Sequence, residues 1–261
     1  MHRIEINSKT VGKPVLAEII SNNSLSDDIF QITLGCEKIA KKAHPGQFVS
    51  VLCDDLTLRR PFSIANADDK NFQIIYKVKG KGTGFISGLE HGKFLNIVGP
   101  FGNGFSVSNK KALLVGAGVG IAPVMFLSKV LEENNAPFML LSGFQKSLNI
   151  DEINQKNHQM VTEDGSSGLK GRINDYLDNF IEKFNPEIIY ACGPEIVLKY
   201  TVESAKKYNI ESEVSLEREF ACGIGVCMGC SIKVIENGKE VNRRICKDGP
   251  VFDGRSVIWQ I

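Results

Sequence analysis

The N-terminal part of the chain consists of short hydrophobic runs separated by turn-forming residues. Between about residues 11 and 105, six runs rich in β-branched and aromatic residues alternate with clusters of Pro, Gly, Asn and Asp. The six runs are PVLAEII, IFQITL, GQFVSVL, RPFSIA, FQIIYKV and FLNIVG. Short strands at this spacing predict a small closed antiparallel β-barrel.

The pattern changes after Ser108 and Asn109. Apolar runs of four to six residues then alternate with segments of helical periodicity, as expected for a parallel sheet covered on both faces. The runs are KALLVGAG, PFMLLSG, HQMVTED and EIIYACG. Helices are predicted at residues 121–134, 172–183 and 195–208. This α/β pattern is typical of a nucleotide-binding domain.

A third, shorter segment begins at about Glu217. It contains a loop rich in cysteine, the strand SIKVI, a turn at residues 236–239 and a returning strand that reaches Cys246. Fewer than about 50 residues rarely stabilise a core alone, so an ordered metal centre would also stabilise this segment. The predicted domains are a barrel at 1–107, an α/β domain at 108–216 and a small C-terminal domain at 217–261.

Composition excludes several classes of protein. The 261 residues include 31 basic and 30 acidic side chains, for a net charge of +1, whereas nucleic-acid surfaces usually need a basic excess. No window approaches the roughly 18 consecutive apolar residues of a membrane helix, and the start MHRIEINSKT lacks the apolar core of a signal peptide. We therefore expect a cytoplasmic protein that binds neither nucleic acid nor membranes.

Four of the seven cysteines lie close together near the C-terminus, at Cys222, Cys227, Cys230 and Cys246. In a reducing compartment, clustered thiols indicate a metal site. Their spacing is C-x4-C-x2-C-x15-C, which favours the plant-type 2Fe-2S arrangement, whereas a structural zinc site usually has paired C-x2-4-C knuckles. Both readings stay open. The glycines at positions 223, 225 and 229 are small enough for backbone N–H groups to approach the sulfur atoms.

A glycine-rich turn, GAGVGIAP, spans residues 116–123 between an apolar strand and a helix. Its candidate binding residues are Gly116, Gly118, Gly120 and Pro123. Glycines let the backbone approach a pyrophosphate, and the following helix N-terminus supplies free N–H groups. The third glycine of the dinucleotide fingerprint is replaced by Ile121, so a tight turn without a ligand is the alternative.

Cys192, Gly193 and Pro194 follow another predicted parallel strand. Pro194 suits the first position of the next helix. Because ligands gather at the carboxyl ends of parallel strands, we expect this turn and the 116–123 turn to face one crevice. In the alternative interpretation, Cys192 is simply a small buried apolar residue.

The barrel also carries groups suited to an anion. Arg60 to Ser63 lie on one strand, Tyr76 and Lys77 end another, and the glycine loop 80–84 follows. Arginine offers a planar fork for phosphate, serine a hydroxyl and glycine bare amides. A surface arginine and a mobile hairpin are the plain alternatives.

Taken together, these motifs predict a flavin. Nicotinamide delivers two electrons as a hydride, whereas an iron-sulfur cluster accepts one electron at a time. A chain with both needs a group that exchanges one or two electrons between them, and a flavin does so. The barrel is therefore interpreted as the flavin domain.

The motifs RPFS, GKGT, GAGVGIAP and CGP resemble those of the ferredoxin-NADP reductase superfamily. The C-terminal stretches EREFACGIGVCMGC and CKDGPVF are similar to the family of electron-transfer subunits of dihydroorotate dehydrogenase B. The resemblance covers nearly the whole chain. It implies that the barrel binds FAD through Arg60, Pro61, Phe62, Ser63, Ile75, Tyr76, Lys77, Gly82 and Thr83. It also implies that Cys222, Cys227, Cys230 and Cys246 hold a 2Fe-2S cluster.

In that family, electrons pass from NADH through FAD and the cluster to the FMN of a catalytic partner, which interconverts dihydroorotate and orotate in pyrimidine synthesis. The resemblance implies the same partner, in a heterotetramer with two copies of each subunit. The alternative is an NAD(P)H-dependent reductase serving another acceptor, such as ferredoxin or a hydrogenase subunit. A non-redox binding protein stabilised by zinc is a third possibility.

Some residues leave questions open. The second parallel strand ends in SGFQK, where an acidic residue for the ribose of NAD is absent and Lys146 could attract a 2'-phosphate, so NAD and NADP are not distinguished. His2, His44, His91 and His158 form no cluster and are expected at the surface. Cys36 and Cys53 are expected to be buried structural thiols, and Trp259 to pack beside the cluster domain or at a subunit contact.

Overall fold

The computed structural model describes residues 13–148, 150 and 155–259. Its N-terminal part is a closed six-stranded antiparallel barrel with the strand order β1-β2-β5-β4-β3-β6, as predicted. The strands are β1 Val15–Ser24, β2 Ile29–Gly35, β3 Phe48–Leu52, β4 Arg60–Ala67, β5 Asn71–Lys77 and β6 Phe94–Phe101.

Side chains of the barrel strands alternate between the barrel core and the outer face of the barrel. Val49 and Val51 of β3 pack in the barrel core, while Phe48 contacts the neighbouring core and Ser50 lies on the same outward side. Two short helices, α1 Glu37–Ala40 and α2 Lys81–Ser87, connect the strands. The sequence predicted a glycine loop where α2 begins; the completely buried Ile86 anchors a helical turn there despite the glycines.

The central part is an α/β domain with a seven-stranded sheet in the order β10-β9-β8-β7-β11-β12-β15. Its parallel strands are β7 Ala112–Ala117, β8 Phe138–Phe144, β9 His158–Thr162, β10 Leu169–Lys170, β11 Ile188–Cys192 and β12 Glu211–Ser215. The helices α3 Ile121–Glu133, α4 Ile173–Phe184 and α5 Glu195–Lys207 cover both faces. Each begins within one residue of its predicted start.

The C-terminal segment packs onto both other parts. After the cysteine loop it forms the hairpin β13 Ser231–Glu236 and β14 Lys239–Arg244, the short helix α6 Ile245–Asp248 and β15 Val251–Asp253. β15 pairs antiparallel with β12 and so becomes an edge strand of the large sheet. The segment therefore shares a sheet with the α/β domain, and the domain boundaries stay predictions. Trp259 packs against the core that spans these parts.

Two expectations about single residues need correction. His158 is not a surface residue: it is half-buried, and its Nε2 lies 2.6 Å from Oγ of the completely buried Ser142. Cys36 is partly exposed, whereas Cys53 is buried as expected. His2 lies outside the described residues. Within the described ranges, no helix is long and apolar enough to cross a bilayer.

Candidate functional site

The predicted flavin residues lie together along one cleft of 420 Å³ between the barrel and the segment that follows β12. Those that line it are Arg60, Pro61, Phe62, Ser63, Ile75, Tyr76, Lys77, Gly82 and Thr83. The volume lies in the range typical of small-molecule sites. The structure thus brings the whole predicted set together, and the role of each residue as a flavin contact stays a prediction.

Basic groups make this cleft suitable for an anion. Arg60, Lys77, Lys79 and Lys81 all line it, and Arg60 is held by a 2.6 Å hydrogen bond from its Nη1 to the Leu58 carbonyl. A Cβ atom added to Gly82 would lie 3.3 Å from Nε of Arg60. The glycine therefore lets the start of α2 approach the guanidinium, so that both can face one phosphate group.

The first turn of α2 is fixed by Thr83. Its Oγ1 accepts hydrogen bonds from the backbone N–H groups of Lys79 and Gly80, at 2.9 and 3.2 Å. The first backbone N–H groups of a helix have no partner within the helix. The amides expected from a loop are therefore supplied by a helical turn, and the threonine hydroxyl serves to shape it.

Tyr76 reaches the cleft differently from its neighbours. Its ring is 2% exposed and lies in the barrel core, where the hydroxyl donates a 3.0 Å hydrogen bond to Oδ1 of Asn22. Burial raises the pKa of Tyr76 to about 12, with Asn22 opposing. The phenol is therefore a neutral group held in the barrel core, and its ring packs against Phe62, which also lines the cleft.

The glycine-rich turn closes the carboxyl end of β7. Gly118 adopts a φ of +56° with open space where a side chain would stand, and Val119 lines the cleft described above. A Cβ atom on Gly116 would lie 3.0 Å from the Cα of Ile121, which explains the glycine before the turn. Pro123 occupies the first turn of α3, where its missing N–H costs no hydrogen bond.

The turn after β11 lies directly against the glycine-rich turn, and the expectation that both face one ligand crevice stays a prediction. Cys192 is completely buried, and burial, followed by the Glu217 carboxylate, raises the pKa of its thiol. The alternative of a small buried side chain thus describes this thiol. Pro194 immediately precedes α5 instead of being its first residue, and its carbonyl accepts hydrogen bonds from the Val197 and Leu198 N–H groups.

The residues after β12 were not identified from the sequence. Leu216, Glu217 and Arg218 line both the large cleft and a second cavity of 210 Å³ beside Gly193. Glu217 is the only acidic residue among the described residues of the large cleft. Glu217 is an exposed residue, yet desolvation of its carboxyl by the surrounding protein raises the pKa of that group, with Lys79 opposing. Its place at the carboxyl end of a parallel strand is the signal that could have revealed it.

The end of β8 lacks an acidic residue for the ribose of NAD, but two acidic residues at the end of the next strand lie beside it. Glu163 and Asp164 follow β9, and their backbone N–H groups donate to the carbonyls of Phe144 and Gln145, at 3.0 and 3.3 Å. Ser166 lowers the pKa of Asp164 most, and Lys146 also lowers it. The positive charge of Lys146 is therefore partly balanced by a carboxylate at the same edge of the sheet.

The four clustered cysteines form two pairs. The side chain of Cys222 contacts that of Cys227, and the side chain of Cys246 contacts that of Cys230. Across the described ranges, no three His, Cys, Asp or Glu side chains are gathered closely enough to hold one metal ion. Cys222 also raises the pKa of Cys246, so all four thiols lie in one neighbourhood, and their C-x4-C-x2-C-x15-C spacing favours a 2Fe-2S cluster over a zinc ion.

Backbone N–H groups converge on these sulfur atoms. The Cys227 N–H lies 3.4 Å from Sγ of Cys222, and the Gly225 N–H lies 3.1 Å from Sγ of Cys246. Burial alone would raise the pKa of Cys222, but the N–H groups of Cys227 and Ile224 outweigh it and lower the pKa to about 6. Burial and the neighbouring Cys230 raise the pKa of Cys246 to about 12. The loop is therefore built to receive negative charge at the Cys222 sulfur.

The loop glycines contribute unequally. Gly223 and Gly225 have φ values of +66° and +81°, which side chains rarely adopt. At Gly229 an added Cβ atom would make only ordinary contacts, 3.6 Å from Cβ of Ala221 and Sγ of Cys227. Gly229 lies beside the Cys227 sulfur, and its role in letting the loop approach a cluster stays a prediction.

The cysteine loop and the cleft share a wall. Phe220, two positions before Cys222, lines the cleft and packs edge-on against Phe48 with ring centroids 5.3 Å apart. Pro250, four positions after Cys246, lines the same cleft. A group bound in the cleft would therefore lie beside the segments that carry the thiols.

Sequence comparisons identify relatives over nearly the full length. Residues 217–258 match the family described as the iron-sulfur cluster binding domain of dihydroorotate dehydrogenase B. The chain is also similar to dihydroorotate dehydrogenase B (NAD(+)), electron transfer subunit, from two bacteria. The Caldanaerobacter subterraneus subsp. tengcongensis protein is 37% identical over 247 residues, covering 93% of this chain and 98% of the relative. The Clostridium acetobutylicum protein is 37% identical over 257 residues, covering 94% and 98%.

Solved structures share the architecture. An NADH-dependent reduced ferredoxin-NADP oxidoreductase, studied for flavin-based electron bifurcation, superposes with a TM-score of 0.85 and 29% identity, covering 95% of this chain and 91% of that one. The ferredoxin reductase in carbazole 1,9a-dioxygenase has a TM-score of 0.65 and 21% identity, covering 76% and 66%. The second likeness shows the fold alone.

Proposed function

The chain belongs to the family of dihydroorotate dehydrogenase B electron transfer subunits, and on this basis we propose how its residues serve that function. It carries electrons between NAD(H), FAD, a 2Fe-2S cluster and the FMN of a catalytic subunit. The observation that carries the proposal is the wall shared by the cleft and the paired cysteines, formed by Phe220 and Pro250. A cofactor in the cleft and a cluster in the loop are thereby placed side by side.

We propose that the large cleft holds FAD, which exchanges a hydride with NAD(H) and single electrons with the cluster. Arg60 and the first turn of α2 bind its pyrophosphate through the guanidinium and free backbone N–H groups. Ser63, Ile75 and Lys77 line the cleft beside them and position the ring system. Phe62 and Phe48 supply apolar walls that keep water away from it.

The two contacting turns at the carboxyl ends of β7 and β11 are assigned to NAD. The N–H groups at the start of α3 bind its pyrophosphate, and Gly118 leaves room for close approach. Val119 belongs to both this turn and the flavin cleft, so a nucleotide bound here reaches the flavin. NAD is assigned over NADP because the relatives are named as NAD(+) enzymes; Glu163 pairs with Arg172 at 3.3 Å and Asp164 lies beside Lys146, so both carboxylates already face a cation.

The cysteines are assigned as cluster ligands in two pairs, Cys222 with Cys227 and Cys230 with Cys246. A 2Fe-2S cluster supplies a one-electron acceptor at this place. The chain's contribution is to hold the four sulfur atoms and to direct backbone N–H groups at them, at 3.1 Å in the case of Gly225.

The partner surface is proposed at the tip of the cysteine loop. Ile224, Val226 and Met228 are 50%, 79% and 52% exposed, although apolar side chains of this size are usually buried. We assign them to the contact with the FMN-containing dihydroorotate dehydrogenase subunit, in a heterotetramer of two copies of each. All seven cysteines are described and none forms a disulfide, which supports a location in the reducing cytoplasm.

Reconstitution tests the proposal. The purified chain, loaded with FAD, iron and sulfide, is combined with the FMN subunit under anaerobic conditions. NADH-dependent orotate reduction should require both subunits, and NADPH should support it poorly. Orotate reduction that proceeds equally without this chain contradicts the proposal.

One observation favours a second acceptor. The reductase with the TM-score of 0.85 is named as a ferredoxin-NADP oxidoreductase, so ferredoxin is the alternative electron acceptor for this fold. Rapid ferredoxin reduction by the isolated chain, with no rate gain from the FMN subunit on orotate, would favour that function.

A further inference from the structure

Arg244 connects the hairpin formed by β13 and β14 to the loop that carries Cys222 and Cys227. It ends β14, two positions before Cys246, and its side chain is only 26% exposed. Its Nη1 donates a 2.7 Å hydrogen bond to the carbonyl oxygen of Gly225, in the middle of the loop between the first two cysteines. The guanidinium therefore joins the hairpin to the loop.

Asp248 fixes the direction of this guanidinium. The Nε of Arg244 donates to Oδ2 of Asp248 at 3.2 Å, and the backbone N–H of Arg244 donates to the same oxygen at 2.8 Å. A guanidinium is a rigid planar fork. With Nε held on Asp248, its Nη1 edge is directed at Gly225.

Gly225 links the Arg244 guanidinium to the sulfur atom of Cys246 through two hydrogen bonds. Its N–H donates to Sγ of Cys246 at 3.1 Å while its carbonyl accepts from Arg244. The stem of Lys247 packs against it so closely that an added Cβ atom would lie 2.5 Å from Cδ of the lysine. Gly225 is thus held between the arginine and the cysteine, and its orientation decides whether its N–H points at the sulfur.

We propose that Arg244 is a positioning residue that sets the reduction potential of the cluster by holding the Gly225 N–H on the Cys246 sulfur. The inference rests on the proposed function, since it requires a 2Fe-2S cluster at these cysteines. One-electron reduction adds a negative charge and breaks no bond. Hydrogen bonds to the sulfur atoms stabilise that charge, so losing the Gly225 bond favours the oxidised cluster.

Arg243 provides a matched control. It is the neighbouring arginine, but its guanidinium donates to Glu236, from Nε to Oε1 at 2.8 Å, and its hydrogen bonds in the described part of the chain do not include one to the Gly225 carbonyl. Arg243→Met and Arg244→Met therefore remove the same charge from adjacent positions. Only Arg244→Met also removes the hydrogen bond to Gly225.

The test is a potentiometric titration of the full-length reconstituted chain, followed by the electron paramagnetic resonance signal of the reduced cluster. Arg244→Met should shift the reduction equilibrium about tenfold towards the oxidised form, equivalent to about 59 mV for one electron. Arg243→Met should shift it much less. Equal shifts in the two variants would overturn the proposal, because they would assign the effect to charge alone.

If Arg244→Met does not bind a cluster, Arg244→Lys is the variant in which the reduction potential is measured. Lysine keeps the charge beside Asp248 but lacks the planar fork, so the potential should again fall. A wild-type potential in Arg244→Lys, or loss of the cluster in both variants, would give Arg244 a purely structural role and overturn the proposal. A wild-type chain that takes up no iron and sulfide would instead contradict the proposed function.

Discussion

Gly120 lies directly against the backbone carbonyl of Cys192: a Cβ atom on Gly120 would stand 2.5 Å from that oxygen. Real Cβ atoms do not approach an oxygen this closely. The contact brings the glycine-rich turn after β7 against the turn after β11. The crevice assigned to NAD therefore depends on the absence of one side chain.

Gly120→Ala should impair NADH use without affecting flavin binding. Gly120 has a φ of −63°, which alanine adopts readily, so the effect is steric. Separating the two turns should raise KM for NADH at least about tenfold and cost about 1 to 3 kcal/mol of stability. Steady-state kinetics and flavin content measure both parts.

Gly84→Ala is the control for this substitution. No atom lies within 4 Å of a Cβ added there, and the residue is inside α2. Alanine should stabilise the helix by about 0.5 to 1 kcal/mol and leave KM for NADH unchanged. An unchanged KM in Gly120→Ala as well would remove the two-turn crevice from the account.

Arg60→Ala should weaken FAD binding. The substitution removes a charged hydrogen-bond donor from the cleft, a loss of about 1.5 to 3 kcal/mol. Equilibrium dialysis or flavin fluorescence measures the affinity. Arg59→Ala is the matched control, because the Arg59 guanidinium donates to Oδ1 of Asn96 at 2.7 Å and does not line the cleft. If both variants bind FAD as the wild type does, Arg60 is not a flavin contact.

Cys227→Ser should remove or degrade the cluster and leave FAD bound. The cysteine loop and the flavin residues come from different segments of the chain, and serine is a poor substitute for a thiolate ligand. Iron, sulfide and flavin contents are measured together. Cys36→Ser, in the barrel, should change none of the three, and a normal cluster signal in Cys227→Ser would refute the ligand assignment.

His158 should make the fold less stable in acid. Burial lowers the pKa of His158 below its ordinary value of 6.5. The unfolded chain then binds the proton more readily, so stability is fully present above pH 6.5 and falls as the pH drops below it. Urea unfolding between about pH 7.5 and pH 5.5 should show this slope in the wild type and a smaller one in His158→Gln. His91→Gln, at an exposed position, should retain the slope; equal slopes in all three would contradict the prediction.

The sequence predicted those features that depend on local periodicity or on fixed spacing. The barrel strands and the starts of α3 and α5 follow from hydrophobic patterns. The proximity of the four cysteines follows from their spacing, because the loop that carries three of them is short, whereas their arrangement in pairs was not predicted. Gly120 was identified as a binding residue, but its contact with Cys192 joins positions 72 residues apart.

Features created by tertiary packing could not be predicted in the same way. Glu217 has no motif of its own and becomes notable only because β12 ends beside the cleft. Arg244 resembles any arginine on a hairpin until Gly225 is placed against it. α2 begins with glycines that disfavour a helix, and burial of Ile86 outweighs them.

The most direct test of the account is anaerobic addition of NADH to the full chain without its partner, followed by absorption and electron paramagnetic resonance. We predict that NADH bleaches the flavin and that the signal of a reduced 2Fe-2S cluster then appears. In Cys227→Ser the flavin should bleach and the cluster signal should be missing. Flavin that stays oxidised in excess NADH, or wild-type protein that bleaches without any cluster signal, would contradict the central claim that this chain passes electrons from nicotinamide to the cluster.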